Sequence, residues 1–164
     1  MRVFVAILPP SVVLDQVAAL RRPEHPGVRW TTRDQWHVTL RFLGEVPDPG
    51  PVADALDAAS LARCSAVLGP EVTALGRRVV CLPVAGLDEL AAGVVAATAE
   101  FGRPPEARPF HGHLTLARVT RGSLRDLLGE PAAARFDVRT VRLVRSRLGP
   151  GGARYDDVHV RRLR

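Results

Sequence analysis

Residues 36–44 read Trp36-His37-Val38-Thr39-Leu40-Arg41-Phe42-Leu43-Gly44, and the core of that stretch returns later as His113-Leu114-Thr115-Leu116. Both stretches alternate as β-strands do, the first stopping at Gly44. Strand side chains point alternately to opposite faces, so in each copy histidine and threonine share one face and the apolar residues share the other. Positions i and i+2 of a strand lie about 6.6–6.8 Å apart, which lets an imidazole and a hydroxyl flank one phosphate. A second copy across a cleft flanks the same phosphate from the other side. The opposite faces, Trp36, Val38, Leu40 and Phe42 in one strand and Leu114 and Leu116 in the other, anchor both strands in a core.

Opening a cyclic phosphodiester with water needs a base for the nucleophile's proton and an acid for the departing ribose oxygen, on opposite sides of phosphorus. Histidine serves as either near neutral pH. Threonine hydroxyls donate to the non-bridging oxygens, where charge must be held. The five-membered ring is strained, so a metal is not obligatory. A single His-x-Thr in a strand is weak evidence, because a lone histidine is more often structural. Here two of only five histidines fall in matching contexts. A purely structural repeat is the competing reading.

Working outward, Arg2–Leu8 reads as a first strand stopped by Pro9 and Pro10, and Ser11 as the N-cap of a helix to about Arg22. Residues 21–27 form a loop. A helix is expected from about Pro51 to Ala62, then strands over Ala66–Leu75 and Arg78–Val84 turning near Gly76. An alanine-rich helix spans Leu87–Phe101, ended by Gly102, and a proline-rich loop leads to the strand His113–Val119. A short helix near Ser123–Leu128 precedes strands around Arg135–Arg147 and Tyr155–Leu163. Gly149-Pro150-Gly151-Gly152 between them resembles a phosphate cradle, but no helix follows, and a hairpin turn is the better reading. This order favours an α+β fold with antiparallel sheet, and no linker divides residues 1–164, so one domain is expected.

Composition narrows the chemistry. All 23 basic residues are arginine, the net charge is +6 and the sequence pI about 11.0. Arginine's fork suits phosphate, although a GC-rich genome produces the same bias. The absence of lysine is more decisive. It excludes a lysine-dependent P-loop, a nucleotidyl-lysine intermediate and Schiff-base catalysis. A mean hydropathy of +0.04 with 46% hydrophobic residues fits a folded chain, and no run approaches bilayer length or a signal sequence, so a cytoplasmic location is expected. Cys64 and Cys81 lack zinc-site spacing and read as inert, although a disulfide between them is possible in principle.

His111 and His113 share a metal-ligand spacing, but no other ligand lies near in sequence, and no metal or other cofactor is expected. His25 and His159 suit surface positions. Tyr155 either stacks on a base or caps the hairpin. Arg139, Arg142, Arg145 and Arg147 form either an RNA track or a solvated strand face.

With these residues in place, the chain resembles the 2H phosphoesterase superfamily, and within it the bacterial RNA 2′,3′-cyclic phosphodiesterases historically called 2′-5′ RNA ligases. The resemblance runs over nearly the whole chain. It is carried by Arg2-Val3-Phe4-Val5-Ala6, by residues 36–45, by Phe110-His111-Gly112-His113-Leu114-Thr115-Leu116-Ala117-Arg118, and by residues 146–155. It implies two pseudo-symmetric lobes of mainly antiparallel sheet flanking a central cleft, with helices on the outer faces. It also implies hydrolysis of an RNA 2′,3′-cyclic phosphate to a 2′-phosphomonoester, with reversible, ATP-independent 2′-5′ joining as a further capacity. The implied roles are general acid for His37, general base for His113 and phosphate binding for Thr39 and Thr115. Arg118 is placed near the substrate, although its parity groups it with Leu114 and Leu116, so it arrives only if the strand ends or twists. Gly112 stands where many members carry proline, which is expected to loosen the start of that strand.

The implied partner is RNA with a 2′,3′-cyclic phosphate end, tRNA fragments being one source, with no membrane and no obligate protein partner; a monomer is expected. Two alternatives stay open: a non-catalytic RNA-binding module whose paired motifs are relics, and a related esterase acting on a small cyclic phosphate such as an ADP-ribose derivative.

Overall fold

In a computed structural model describing residues 1–164, the strands are β1 (Arg2–Ile7), β2 (Val28–Trp30), β3 (Val38–Glu45), β4 (Cys64–Leu68), β5 (Thr73–Leu75), β6 (Val79–Ala85), β7 (His113–Val119), β8 (Ala134–Val138), β9 (Thr140–Gly149) and β10 (Gly152–Arg162). The helices are α1 (Ser11–Ala18), α2 (Gly50–Ala58) and α3 (Asp88–Ala97). All pairings are antiparallel, in the order β10-β9-β1-β3-β7-β6-β4-β8, with β2 beside β7 and β5 beside β6.

The sheet divides into two related halves. In one, β1 is followed by α1 and then by β3, which pairs with β1; in the other, β6 is followed by α3 and then by β7, which pairs with β6. The halves meet at a narrow seam, the single ladder pair Val38–Leu114. The α+β class and the paired lobes therefore agree with the reading of the sequence.

Each helix buries a stripe at helical spacing: Val13 and Val17 from α1, Val52 and Leu56 from α2, Leu90, Ala91 and Val94 from α3. These join Val38, Leu114 and residues from both halves in one continuous core. Burying a side chain such as Leu56 stabilises by about 2 kcal/mol. A smaller apolar cluster of Phe4, Ala6 and Val144 lies apart, with Phe42 and Tyr155 against it. The cleft opens beside it.

Several boundaries differ from expectation, each for a local reason. Pro10, not Ser11, is the N-cap of α1, which ends at Ala18 rather than Arg22. There the Arg22 guanidinium folds back onto the Val17, Ala18 and Leu20 carbonyls and closes the helix. Helix α3 stops at Ala97, where Thr98 Oγ1 donates to the Val94 carbonyl (2.7 Å) and Arg41 takes the Val95 carbonyl (2.9 Å). Ala66–Leu75 is two strands, broken at Gly69-Pro70 where Gly69 has φ +108°. Residues 135–147 also divide: β8 pairs with β4 at one sheet edge, and β9 with β1 in the other half. The segment near residues 123–128 contains only a 3-10 turn, Arg125–Leu127. The three-residue β2 is too short to show a period in the sequence. Gly149–Gly152 makes the β9–β10 hairpin turn.

Candidate active site

At the seam, the antiparallel register through Val38 and Leu114 sets Thr39 across from His113 and His37 across from Thr115. The two His-x-Thr motifs thus meet around a local twofold, and all four side chains line one cavity of about 260 Å³.

The imidazoles are held in the same manner. His37 Nδ1 lies 2.7 Å from the Gln35 carbonyl, and His113 Nδ1 lies 2.8 Å from the His111 carbonyl, in each case two residues upstream. A carbonyl only accepts, so each Nδ1 carries hydrogen and donates it. In the neutral ring that leaves Nε2 as the proton-accepting atom. His37 Nε2 accepts from the Thr39 hydroxyl at 3.1 Å.

The residues after each threonine explain two contacts that simple alternation misses. Ala6 pairs with Thr39 but Val5 with Arg41, so Leu40 is an extra residue in β3. Cys81 pairs with Thr115 but Val80 with Ala117, so Leu116 is its counterpart in β7. A β-bulge of this kind shifts the side-chain parity beyond it. Phe42 therefore turns to the cleft rather than to the core face expected for it, and Arg41 is buried in its place. By the same shift Arg118 reaches the cleft with His113 and Thr115. The second bulge is pinned from β2's side, because the Thr31 N–H donates to the Leu116 carbonyl at 2.8 Å.

Arg41 is 5% exposed and has no carboxylate beside it. Its guanidinium donates instead to the Val95 and Arg103 carbonyls and Thr98 Oγ1 at 2.9 Å, and to the Phe101 carbonyl at 3.2 Å. Burial lowers its pKa.

His37 is half-buried between aromatic rings, Phe4 at 4.8 Å and Tyr155 at 5.0 Å between centroids. This burial, above all, lowers its pKa from 6.5 to about 4; positive charge on His113 and Arg118 acts in the same direction, and the hydrogen bond to Gln35 opposes it. Burial raises the Tyr155 pKa, with Arg118 and Arg2 opposing. Arg2, Arg29 and Arg118 line the cavity, and no acidic residue does. Such a cleft favours an anion.

The remaining sequence-marked residues sort by location. Arg139, Arg142 and Arg147 form ion pairs with Asp137, Asp157 and Asp156, and neither these three nor Arg145 lines the cavity. His159 pairs with Asp57 at 2.8 Å, remote from the seam. His25 binds the Pro26 carbonyl. Cys64 and Cys81 are both free, and burial raises both thiol pKa values. No three His, Cys, Asp or Glu side chains gather as a metal-binding group, and no helix is long and apolar enough to cross a membrane. Gly112 does not loosen the start of β7. Its carbonyl accepts from the Val84 N–H at 2.8 Å, and a Cβ there would lie 2.3 Å from the Val84 carbonyl oxygen. The sequence reading missed Arg2, Arg29, Phe4 and Phe42 as cleft residues. Arg2, Phe4 and Phe42 stand in the motif segments given above, but only the bulges and the sheet order reveal which way they face.

A second cavity of about 290 Å³ adjoins the first, sharing Thr39, Phe42 and His113 with it. Its walls include Leu75, Val95, Pro104, Pro105, Pro109 and Phe110.

Known proteins resemble this chain in sequence and fold. A Geobacillus stearothermophilus protein named RNA 2′,3′-cyclic phosphodiesterase is 34% identical over 108 residues, covering 59% of this chain but only 34% of its own length. The crystal structure of E. coli LigT complexed with 3′-AMP superposes with a TM-score of 0.78 at 28% identity, over 99% of this chain and 97% of that one. The crystal structure of TT0787 of Thermus thermophilus gives 0.77 at 28% identity, over 99% and 98%. The family described as LigT like Phosphoesterase matches residues 7–66 and 82–155, a span that includes both histidine motifs. The chain belongs to the LigT-like phosphoesterase family.

Proposed function

We propose that this chain hydrolyses RNA 2′,3′-cyclic phosphate ends to 2′-phosphomonoesters by a metal-independent, two-histidine mechanism. The observation that carries the reading is the pair of imidazoles, each fixed through Nδ1 and offering Nε2 to one cation-lined cleft. Kinship with a protein named RNA 2′,3′-cyclic phosphodiesterase supports the same substrate class.

In this mechanism the cyclic phosphate sits at the seam, its non-bridging oxygens accepting from the hydroxyls of Thr39 and Thr115, with Arg118 nearby. Thr39 turns its hydroxyl from His37 to the phosphate. The incoming anion raises the pKa of His37, which in the empty cleft is only about 4, so His37 takes up a proton as substrate binds. His113 Nε2 removes a proton from water, whose oxygen forms the new bond to phosphorus. The P–O3′ bond breaks, and His37 protonates the 3′-oxygen. The products are a 2′-phosphate and a free 3′-hydroxyl. With a 5′-hydroxyl in place of water the same steps join RNA 2′-5′ without ATP.

Arg2 and Arg29 extend positive charge beyond the seam, which favours a polyanionic chain over a small cyclic phosphate such as an ADP-ribose derivative. RNA fragments with cyclic ends, including those cut from tRNA, are the substrates expected of a monomer working in the cytoplasm. The test is incubation of the purified protein with an oligonucleotide ending in a 2′,3′-cyclic phosphate. A 2′-phosphate product is expected. An unchanged substrate, or a 3′-phosphate product, sinks the reading.

A further inference from the structure

We propose that Arg29 and the turn of the β9–β10 hairpin form a subsite for the phosphate on the 5′-oxygen of the nucleotide that carries the cyclic end. The inference rests on the phosphodiesterase reading and adds to it a second group that the protein recognises, away from the reacting phosphorus.

The first observation is a pair of like charges. In the register of β2 on β7, Arg29 stands directly across from Arg118, and both line the 260 Å³ cavity. Like charges directly opposite on neighbouring strands repel and weaken a sheet. Neither guanidinium has a carboxylate within ion-pair distance, and the cavity is lined by no acidic side chain. Anions from outside the chain relieve that repulsion. The cyclic phosphate, set at the seam beside Thr39 and Thr115, accounts for Arg118. Arg29 lies one strand farther over, a spacing of about 4.8 Å, and calls for a second negative group.

The second observation is where the Arg29 guanidinium rests. Strand β2 pairs with β7, in the half that carries His113, yet Arg29 reaches β10, in the half that carries His37. A Cβ on Gly152 would lie 1.8 Å from Arg29 Nη2 and 2.8 Å from its Cζ. Glycine is thus required at position 152 for this close approach as well as for its φ of +103°. Next to it, Gln35 Nε2 donates to the Ala153 carbonyl at 2.9 Å and ties the hairpin in place. The bare backbone at Gly152 seats a cation between the two halves, beside the cavity that Arg29 and Ala153 both line. A guanidinium so held keeps its fork ready for an anion.

The third observation is direction. The cyclic phosphate ends the RNA at its 3′ side, so every other phosphate lies on the 5′ side. The nearest of these is on O5′ of the same nucleotide. Past Ala153 the hairpin continues the face that lines the cavity: Leu148 pairs with Ala153 and shares its parity with Ser146. Leu148 is 78% exposed, and a base preceding the terminal nucleotide finds an apolar surface there.

The experiment measures kcat/KM of the intact protein on three substrates: cytidine 2′,3′-cyclic phosphate, its 5′-phosphorylated form, and a dinucleotide ending in the same cyclic nucleotide. Both substrates with a 5′-phosphoryl group are expected to exceed the first about tenfold or more, the effect of one charge-assisted contact. Arg29→Gln is expected to remove that advantage. Gly152→Ala keeps every arginine and displaces only the seated guanidinium, so the same loss is expected from it. Thermal unfolding shows whether each variant folds, and Arg29→Gln decides alone if Gly152→Ala does not. Equal values for the three substrates, an advantage confined to the dinucleotide, or an advantage that survives either substitution in a folded protein overturns the subsite while leaving the hydrolase reading intact. No turnover of any of the three overturns both.

Discussion

Phe42 and Arg118 occupy equivalent places in the two halves of the sheet, each brought to the cleft by one extra residue, Leu40 or Leu116, in its strand. The two halves use the same local device and put different chemistry at its end. The proton-transfer groups are therefore nearly symmetric about the seam, while their surroundings are not. An aromatic ring borders one side and a guanidinium the other. Phe4 and Tyr155 enclose only His37, the histidine whose pKa is pulled down.

Thr39→Val and Thr115→Val are expected to lower kcat while leaving the fold intact, since valine keeps the shape and β-propensity and removes only the hydroxyl. One well-placed donor to developing charge is worth about a hundredfold or more in rate. Steady-state kinetics beside thermal unfolding checks this, and full activity in both variants would make the threonines structural.

The depressed pKa of His37 makes a prediction for stability against pH. Its folded value of about 4 lies below the ordinary 6.5, so the unfolded chain binds this proton more readily. The contribution is fully present above pH 6.5 and is lost as pH falls through 4. Urea unfolding across that window is expected to show a steeper loss for the native chain than for His37→Gln. In the same window, proton NMR is expected to find the His37 pKa higher with a nucleoside 2′-phosphate bound than without. Parallel stability curves, or an unmoved pKa, count against the proposed proton uptake.

Single alanine substitutions at His37 and His113 are each expected to abolish most turnover of an oxygen substrate. A cyclic substrate with sulfur in place of the 3′-oxygen expels a thiolate that needs no proton. On it His37→Ala is expected to recover much of its rate and His113→Ala none. Recovery by His113→Ala alone exchanges the two roles.

Turnover is expected to persist in excess chelator after bound metals are removed, because two imidazoles suffice for both proton transfers. Activity that disappears and returns only with zinc or manganese is the contrary result.

Arg41→Met is expected to destabilise the protein by about 3 kcal/mol or more, because the Val95, Phe101 and Arg103 carbonyls lose their donors in a buried place. Denaturant unfolding measures this. A loss below about 1 kcal/mol, the net worth of one ordinary hydrogen bond, excludes a structural role for the guanidinium.

The sequence showed much of this site because its chemistry lies in short, strictly alternating motifs. His37 with Thr39 and His113 with Thr115 could each be placed on a common strand face from spacing alone. What alternation could not show is where a strand breaks its own rule. The bulges at Leu40 and Leu116 reverse the faces of Phe42, Arg41 and Arg118, and they depend on pairing with β1 and β6, partners distant in the chain. Arg29 was hidden for another reason: β2 has three residues, too few for a period, and exists because it lies along β7. The division of residues 135–147 between β8 at one sheet edge and β9 in the other half is likewise a matter of tertiary pairing rather than local preference.

Both imidazoles are oriented by main-chain oxygen, at Gln35 and at His111. In enzymes that use a Ser-His-Asp triad the orienting group is a carboxylate, which a single codon change destroys. A backbone carbonyl belongs to every amino acid, proline included. A side-chain substitution at position 35 or 111 thus leaves the orienting oxygen itself in the chain. A change in the path of the backbone, such as an insertion or deletion just upstream of a motif, undoes the arrangement. The site is thereby sensitive to inherited change in the length of its loops, a sensitivity that a side-chain carboxylate would not create.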